Sequence, residues 1–160
     1  MKENNHLPVF GIGPFLIAPI LIISMIGVIL TFYNAMPIYS VDALNFLLMI
    51  LGVLVVINGI LFWFLAVKSG IYGKIRENKL ETTGVYALVR HPIYAPSLYI
   101  STGAILFSQN VYLFVLPVIY WIVLTVVIKN TEEKWLIELY GEDYKIYSQN
   151  VNRFIPRMFR

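Results

Sequence analysis

The chain has 160 residues, of which 59% are hydrophobic and only 13% charged, with a mean hydropathy of +0.74. A water-soluble domain of this length carries roughly twice that share of charge, so a soluble globular protein is excluded. Cysteine is absent, which removes disulfides, thiolate metal sites and cysteine nucleophiles, and the net charge of +3 comes from basic residues that cluster.

In chain order, three stretches contain no Asp, Glu, Lys or Arg: residues 10–41, 43–67 and 92–128. A helix needs about 20 apolar residues to cross the ~30 Å hydrocarbon core. The first stretch predicts a span near residues 13–33, with Pro19 as a kink. It is too long for a signal-peptide core and has no small-residue cleavage site after a basic start, so it is expected to persist as a helix. The second predicts a span near residues 43–67, ending at Lys68. The third predicts a helical hairpin, 93–107 and 111–128, turning at the polar cluster Ser108-Gln109-Asn110; its first arm is short. The expected fold is all-α: a polytopic membrane protein with four transmembrane helices, followed by a cytosolic amphipathic tail helix. One domain is expected, with residues 1–67 as a two-helix segment and 68–160 as loop, hairpin and tail.

Orientation follows from the basic residues. Lys68, Lys74, Arg76, Lys79 and Arg90 lie between the second and third spans, and Lys129, Lys134, Lys145, Arg153, Arg157 and Arg160 in the tail. The loop at 34–42 and the turn at 108–110 hold none, so the positive-inside rule puts both termini and the long loop in the cytoplasm. Polar chemistry is then confined to one surface, built from residues 68–92 and 129–160. No glycine-rich phosphate loop or hydrolase elbow is present, and His6 and His91 alone cannot make a histidine metal site. No metal centre is expected. Nucleic acid is not an expected partner either, because topology already accounts for the basic residues.

Two segments exceed what topology requires. In the first, residues 82–94, Pro92 suits the first turn of the third helix. Arg90 and His91 then sit at that helix's N-terminus, where unpaired N–H groups attract a carboxylate or phosphate. An interfacial anchor, with Tyr86 and Tyr94 in an aromatic belt, is the plainer reading, and the residue types leave both open. In the second, Leu136, Tyr140, Tyr144, Tyr147 and Val151 form a stripe at helical spacing, as in a helix lying on the membrane. The Glu132–Glu133 pair follows a transmembrane helix directly, opposes its dipole, and calls for a cation: Arg90, Lys129 or a bound one.

Together these segments resemble the isoprenylcysteine carboxyl methyltransferase family of integral membrane enzymes. The resemblance rests on Thr82, Gly84, Tyr86, Arg90, His91, Pro92 and Tyr94. After the hairpin come Glu132, Glu133, Leu136, Gly141, Tyr144 and Tyr147, then Arg153-Phe154-Ile155-Pro156. It spans residues 78–156 and implies that 68–160 is a cofactor-binding region for S-adenosylmethionine. The implied cofactor contacts are Lys79, Leu80 and Glu81 (mainly backbone), Tyr86, His91, Pro92, Ile93, Tyr94 and Glu132. It implies direct in-line methyl transfer without a catalytic base, Arg90 and Glu133 orienting the substrate, and a lipophilic or lipid-modified acceptor, a carboxylate by preference. An amine acceptor would instead need His91 or Glu133 as base. Two positions differ from the family: Ala95-Pro96 follow Tyr94, and Ile128 stands where prenylcysteine enzymes carry arginine. A phospholipid N-methyltransferase, a sterol-reductase-like enzyme using NADPH and a non-catalytic membrane protein remain as alternatives. Neither the acceptor nor the oligomeric state can be read from the residues, although Gly52 and Gly59 permit close helix packing.

Overall fold

A computed structural model describes residues 12–69 and 79–157. The loop positions Lys74 and Arg76, with His6 and Arg160, lie outside the described residues. Every described element is helical: α1 (Gly13–Phe32), α2 (Asp42–Lys68), a 3-10 turn (Gly84–Ala87), α3 (Ala95–Ser108), a second 3-10 turn (Val111–Phe114), α4 (Val115–Asn130), α5 (Glu132–Tyr140) and α6 (Glu142–Asn150).

Three runs are long and apolar enough to cross a membrane: Gly13–Phe32, Asp42–Lys68 and Val111–Tyr140. The last includes α5, but its apolar part ends at Ile128, and Glu132 and Glu133 stand beyond it. Their outer faces are apolar, with Phe15, Phe46, Trp63, Phe64 and Trp121 all exposed, as lipid contact requires. Pro19 lies inside α1, as the sequence indicates.

The short helix α3 is the centre of the bundle. At 14 residues it is about 21 Å long. It is buried along most of its length, with Ala95, Leu98, Ser101, Gly103 and Ile105 inaccessible. α1 and α2 both pack against it. The α2–α3 contact is backbone on backbone. A Cβ added at Gly103 would lie 2.6 Å from the Gly52 carbonyl oxygen, and one at Gly59 would lie 2.8 Å from Ile100. Lipid tails are as apolar as leucine, so helices in a bilayer adhere through such close small-residue packing. Gly52 and Gly59, read from sequence as permitting close helix packing, make that contact with α3 of the same chain.

The two ends of α3 meet the same elements as the two ends of α1. At one end Tyr94 and the Ile12 N–H both donate to Glu132. At the other, the fully buried Asn110 side chain donates to Thr31 Oγ1 (3.2 Å) and the Pro37 carbonyl (3.1 Å) and accepts from Tyr112 N–H (3.2 Å). Val111 N–H donates to the Tyr39 carbonyl (2.9 Å), which ties the α1–α2 loop to the hairpin turn. These bonds pair backbone groups of the α1–α2 loop and of the hairpin turn.

Three local expectations change. α3 begins at Ala95, so Pro96 rather than Pro92 occupies its first turn, where a missing N–H costs nothing. The tail is two short helices, not one, because Gly141 adopts φ 57°, a conformation favouring glycine. The aromatic stripe does not face lipid: Tyr144, Tyr147 and Val151 are buried against Leu80 and Tyr86. Replacing Gly103 with alanine should force α2 from α3 at a cost of about 1–3 kcal/mol. Thermal melting in detergent would show this as a drop of several degrees, and an unchanged midpoint would mean that the backbones do not touch.

Candidate functional site

The helical path breaks at Thr131, whose φ of −122° and ψ of −86° leave the helical region. α5 therefore starts afresh, and Glu132 and Glu133 occupy its first turn. The acidic pair consequently lies at a helix N-terminus, where the dipole favours it, instead of opposing the dipole of α4 as the sequence implied.

The two carboxylates face different partners. Glu132 accepts from the Tyr94 hydroxyl and the Ile12 N–H through Oε1, while its Oε2 lies 3.8 Å from His91 Nδ1. Glu133 is buried and surrounded by donors. Arg153 grips it in a two-pronged contact, Nε to Oε1 at 2.9 Å and Nη2 to Oε2 at 2.7 Å. His91 Nε2 and Arg90 Nη1 each approach Oε1 at 3.3 Å. Burial alone would raise the Glu133 carboxyl, but hydrogen bonds from His91 and Arg153 and the charge of Arg90 bring it down to about 2 from 4.5. The hydroxyl of Tyr144, buried beside this cluster, is pushed up, first by burial and then by the charge of Glu133.

The tail closes over the segment before α3. Arg90 N–H donates to the Asn152 carbonyl (2.8 Å), and His91 N–H to the Arg153 carbonyl (3.0 Å). Tyr99 Oη donates to the Phe154 carbonyl (3.0 Å), and the Phe154 ring lies 6.2 Å from that of His91. The N–H groups of Arg90 and His91, expected to be open to an anion, are thus taken by the tail.

Among the residues singled out from sequence, the structure brings Arg90, His91, Tyr94, Glu132 and Glu133 into one cluster at the α1 N-terminal end. Pro92 is buried and Ile93 half-buried in the turn that joins His91 to Tyr94. Lys79, Leu80, Glu81 and Tyr86 form a separate wall. Lys79 is exposed, Glu81 accepts from Thr83 N–H (2.9 Å), Leu80 packs on Tyr144 and Tyr147, and the Tyr86 carbonyl accepts from Tyr147 Oη (2.6 Å). Lys129, a candidate partner for the acidic pair, stays exposed. The residue that sequence reasoning passed over is Arg153. Its one signal was the Arg-Phe-Ile-Pro run, read only as part of a motif and as a topological charge.

A carboxyl held below its unfolded value stabilises the fold above about pH 4.5 and loses that contribution as pH falls towards 2. Acid melting curves should therefore decline through that window, and Glu133→Gln should flatten the decline. An identical acid profile for the variant would mean that Glu133 is not the group concerned.

A family model for phospholipid methyltransferases matches residues 41–143, well over half of the chain. No curated protein and no solved structure matches it. The match takes in α2, the Arg90–Tyr94 turn, the hairpin and the Glu132–Glu133 pair, so the elements that carry the cluster are those the family shares. The chain belongs to the phospholipid methyltransferase family, within the isoprenylcysteine carboxyl methyltransferase-like group of membrane enzymes, and is an integral membrane methyltransferase.

Proposed function

We propose that the chain transfers a methyl group from S-adenosylmethionine to a lipophilic acceptor, at the cluster of Arg90, His91, Tyr94, Glu132 and Glu133. The observation that carries this is the state of Glu132. Its Oε2 makes no hydrogen bond among the described residues, although its Oε1 accepts two and the neighbouring Glu133 is held through both oxygens. The donor set fits the cofactor. Its ammonium suits Glu132 and its cationic sulfonium suits tyrosine faces, those of Tyr86 and Tyr94. Buried, unpartnered polar atoms at Arg90 Nε and Tyr144 Oη leave donors for an anionic group. Lys79, Leu80 and Glu81 would meet it by backbone, and Pro92 and Ile93 would shape the turn beneath it.

When bound, S-adenosylmethionine supplies an electrophilic methyl. The chain's own residues hold the two reactants in line and keep water out. Glu133 does not serve as a base in this reading, because a carboxyl lowered to about 2 binds a proton only weakly and both its oxygens are occupied. Nor is it free to orient a substrate, since Arg153 and Arg90 already hold it. A carboxylate acceptor arrives ionised and needs no base, so it is the acceptor we favour. The family match favours a second reading, a phospholipid amine, which would have to lose a proton before attack.

In the bilayer, the reading has four crossings and one domain, with both termini and the cluster in the cytoplasm. α3 supports the fourth crossing because it reaches both polar ends that α1 reaches. Cysteine labelling in sealed vesicles tests this: positions 39 and 145 should react from opposite sides.

In detergent, S-adenosylhomocysteine at a hundredfold excess over its Kd should stabilise the fold by about 2.7 kcal/mol, whereas NADPH should not. Glu132→Gln should remove that shift and leave expression intact. Stabilisation by NADPH alone, or by neither compound, would sink this reading. Methyl-labelled cofactor offered with fatty carboxylates and with amine phospholipids then separates the two acceptors.

A further inference from the structure

Arg153 lies beyond residues 41–143, which the phospholipid methyltransferase model matches, and in the Arg-Phe-Ile-Pro run; it makes the shortest contacts to the buried carboxylate, 2.7 and 2.9 Å. We propose that Arg153 is a positioning residue for methyl transfer, acting through Glu133 to set His91 against Glu132. The inference rests on the reading that this cluster binds S-adenosylmethionine.

Arg153 holds His91 twice. Its carbonyl accepts from the His91 N–H, which fixes the backbone, and its guanidinium holds the carboxylate that meets His91 Nε2. The orientation of an imidazole is set by the partner of one nitrogen, which determines what the other presents. With Nε2 on Glu133, Nδ1 is turned to Glu132 Oε2, the oxygen assigned to the cofactor ammonium. The fork geometry matters because both oxygens of Glu133 are engaged, which stops the carboxylate rotating. Phe154, almost completely buried, lies beside the His91 ring at a tilt and helps keep the tail in place. Arg157, four residues on, provides the contrast: it is exposed and, among the described residues, reaches only the Gln149 carbonyl at 3.4 Å. An orienting charge at a membrane surface needs no more than that.

The test is calorimetric titration of S-adenosylhomocysteine into the full-length chain in detergent. Arg153→Ala should weaken binding on the order of tenfold to a hundredfold, the scale of a displaced positioning group. Arg153→Lys, which keeps the charge and loses the fork, should bind more weakly than the unsubstituted chain, and Arg157→Ala equally tightly. Arg153→Ala leaves a buried carboxylate short of a partner and so endangers folding; the double variant Arg153→Ala with Glu133→Gln removes that charge. If Arg153 acts through Glu133, the double variant binds no more weakly than Glu133→Gln alone. Full affinity in Arg153→Lys, or additive losses in the double variant, overturns the proposal. No binding by the unsubstituted chain overturns the functional reading itself.

Discussion

A carboxylate taken out of water keeps its charge only where cations and hydrogen-bond donors replace the lost solvation. Glu133 is such a group, buried just beyond the apolar end of α4. Its donors come from two distant parts of the chain, Arg90 and His91 before α3 and Arg153 after α6. Meeting that requirement draws the loop, the hairpin and the tail together at one end of the bundle. The turn at Thr131 belongs to the same solution, because it places the acidic pair at the start of a helix rather than at the end of one.

The bundle that holds this cluster has a different source of order. Within a bilayer, burying leucine against leucine gains little, so shape and hydrogen bonding decide which helices meet. Gly52 and Gly59 of α2 and Gly103 of α3 let these two helices approach closely, and this allows a helix of 14 residues to be enclosed by longer ones. Asn110 closes the far end by satisfying the α1–α2 loop and its own turn. Glu132 closes the near end through Tyr94 and Ile12. With both ends fixed, the Arg90–Tyr94 turn is carried on a support tied down at each end, which suits the positioning role proposed for it.

Such a site has consequences for chemistry. Its carboxylates differ in what they leave open: both oxygens of Glu133 are engaged, whereas Glu132 uses one oxygen for two donors and keeps the other unbonded among the described residues. What the cluster offers is fixed charge of both signs within a few ångströms. A zwitterionic cofactor part and an acceptor that arrives ready to react suit such a place.

By itself the sequence determined the all-helical membrane architecture, the places of the long spans and the hairpin turn. Bilayer thickness forces span length into composition, and a polar cluster inside an apolar run has few places to go. It also exposed Glu132 and Glu133 as residues in need of cations, and Arg90 as one of them. The tertiary structure alone decided that Arg153 is the other, and that Lys129 is not. It decided that Gly52 and Gly59 meet α3, and that the tyrosine stripe faces Leu80 and Tyr86 instead of lipid. Each of these depends on which distant surfaces come together. A glycine pair, an apolar stripe or a basic residue reads the same in sequence whether its partner is lipid, another subunit or a segment far along the chain.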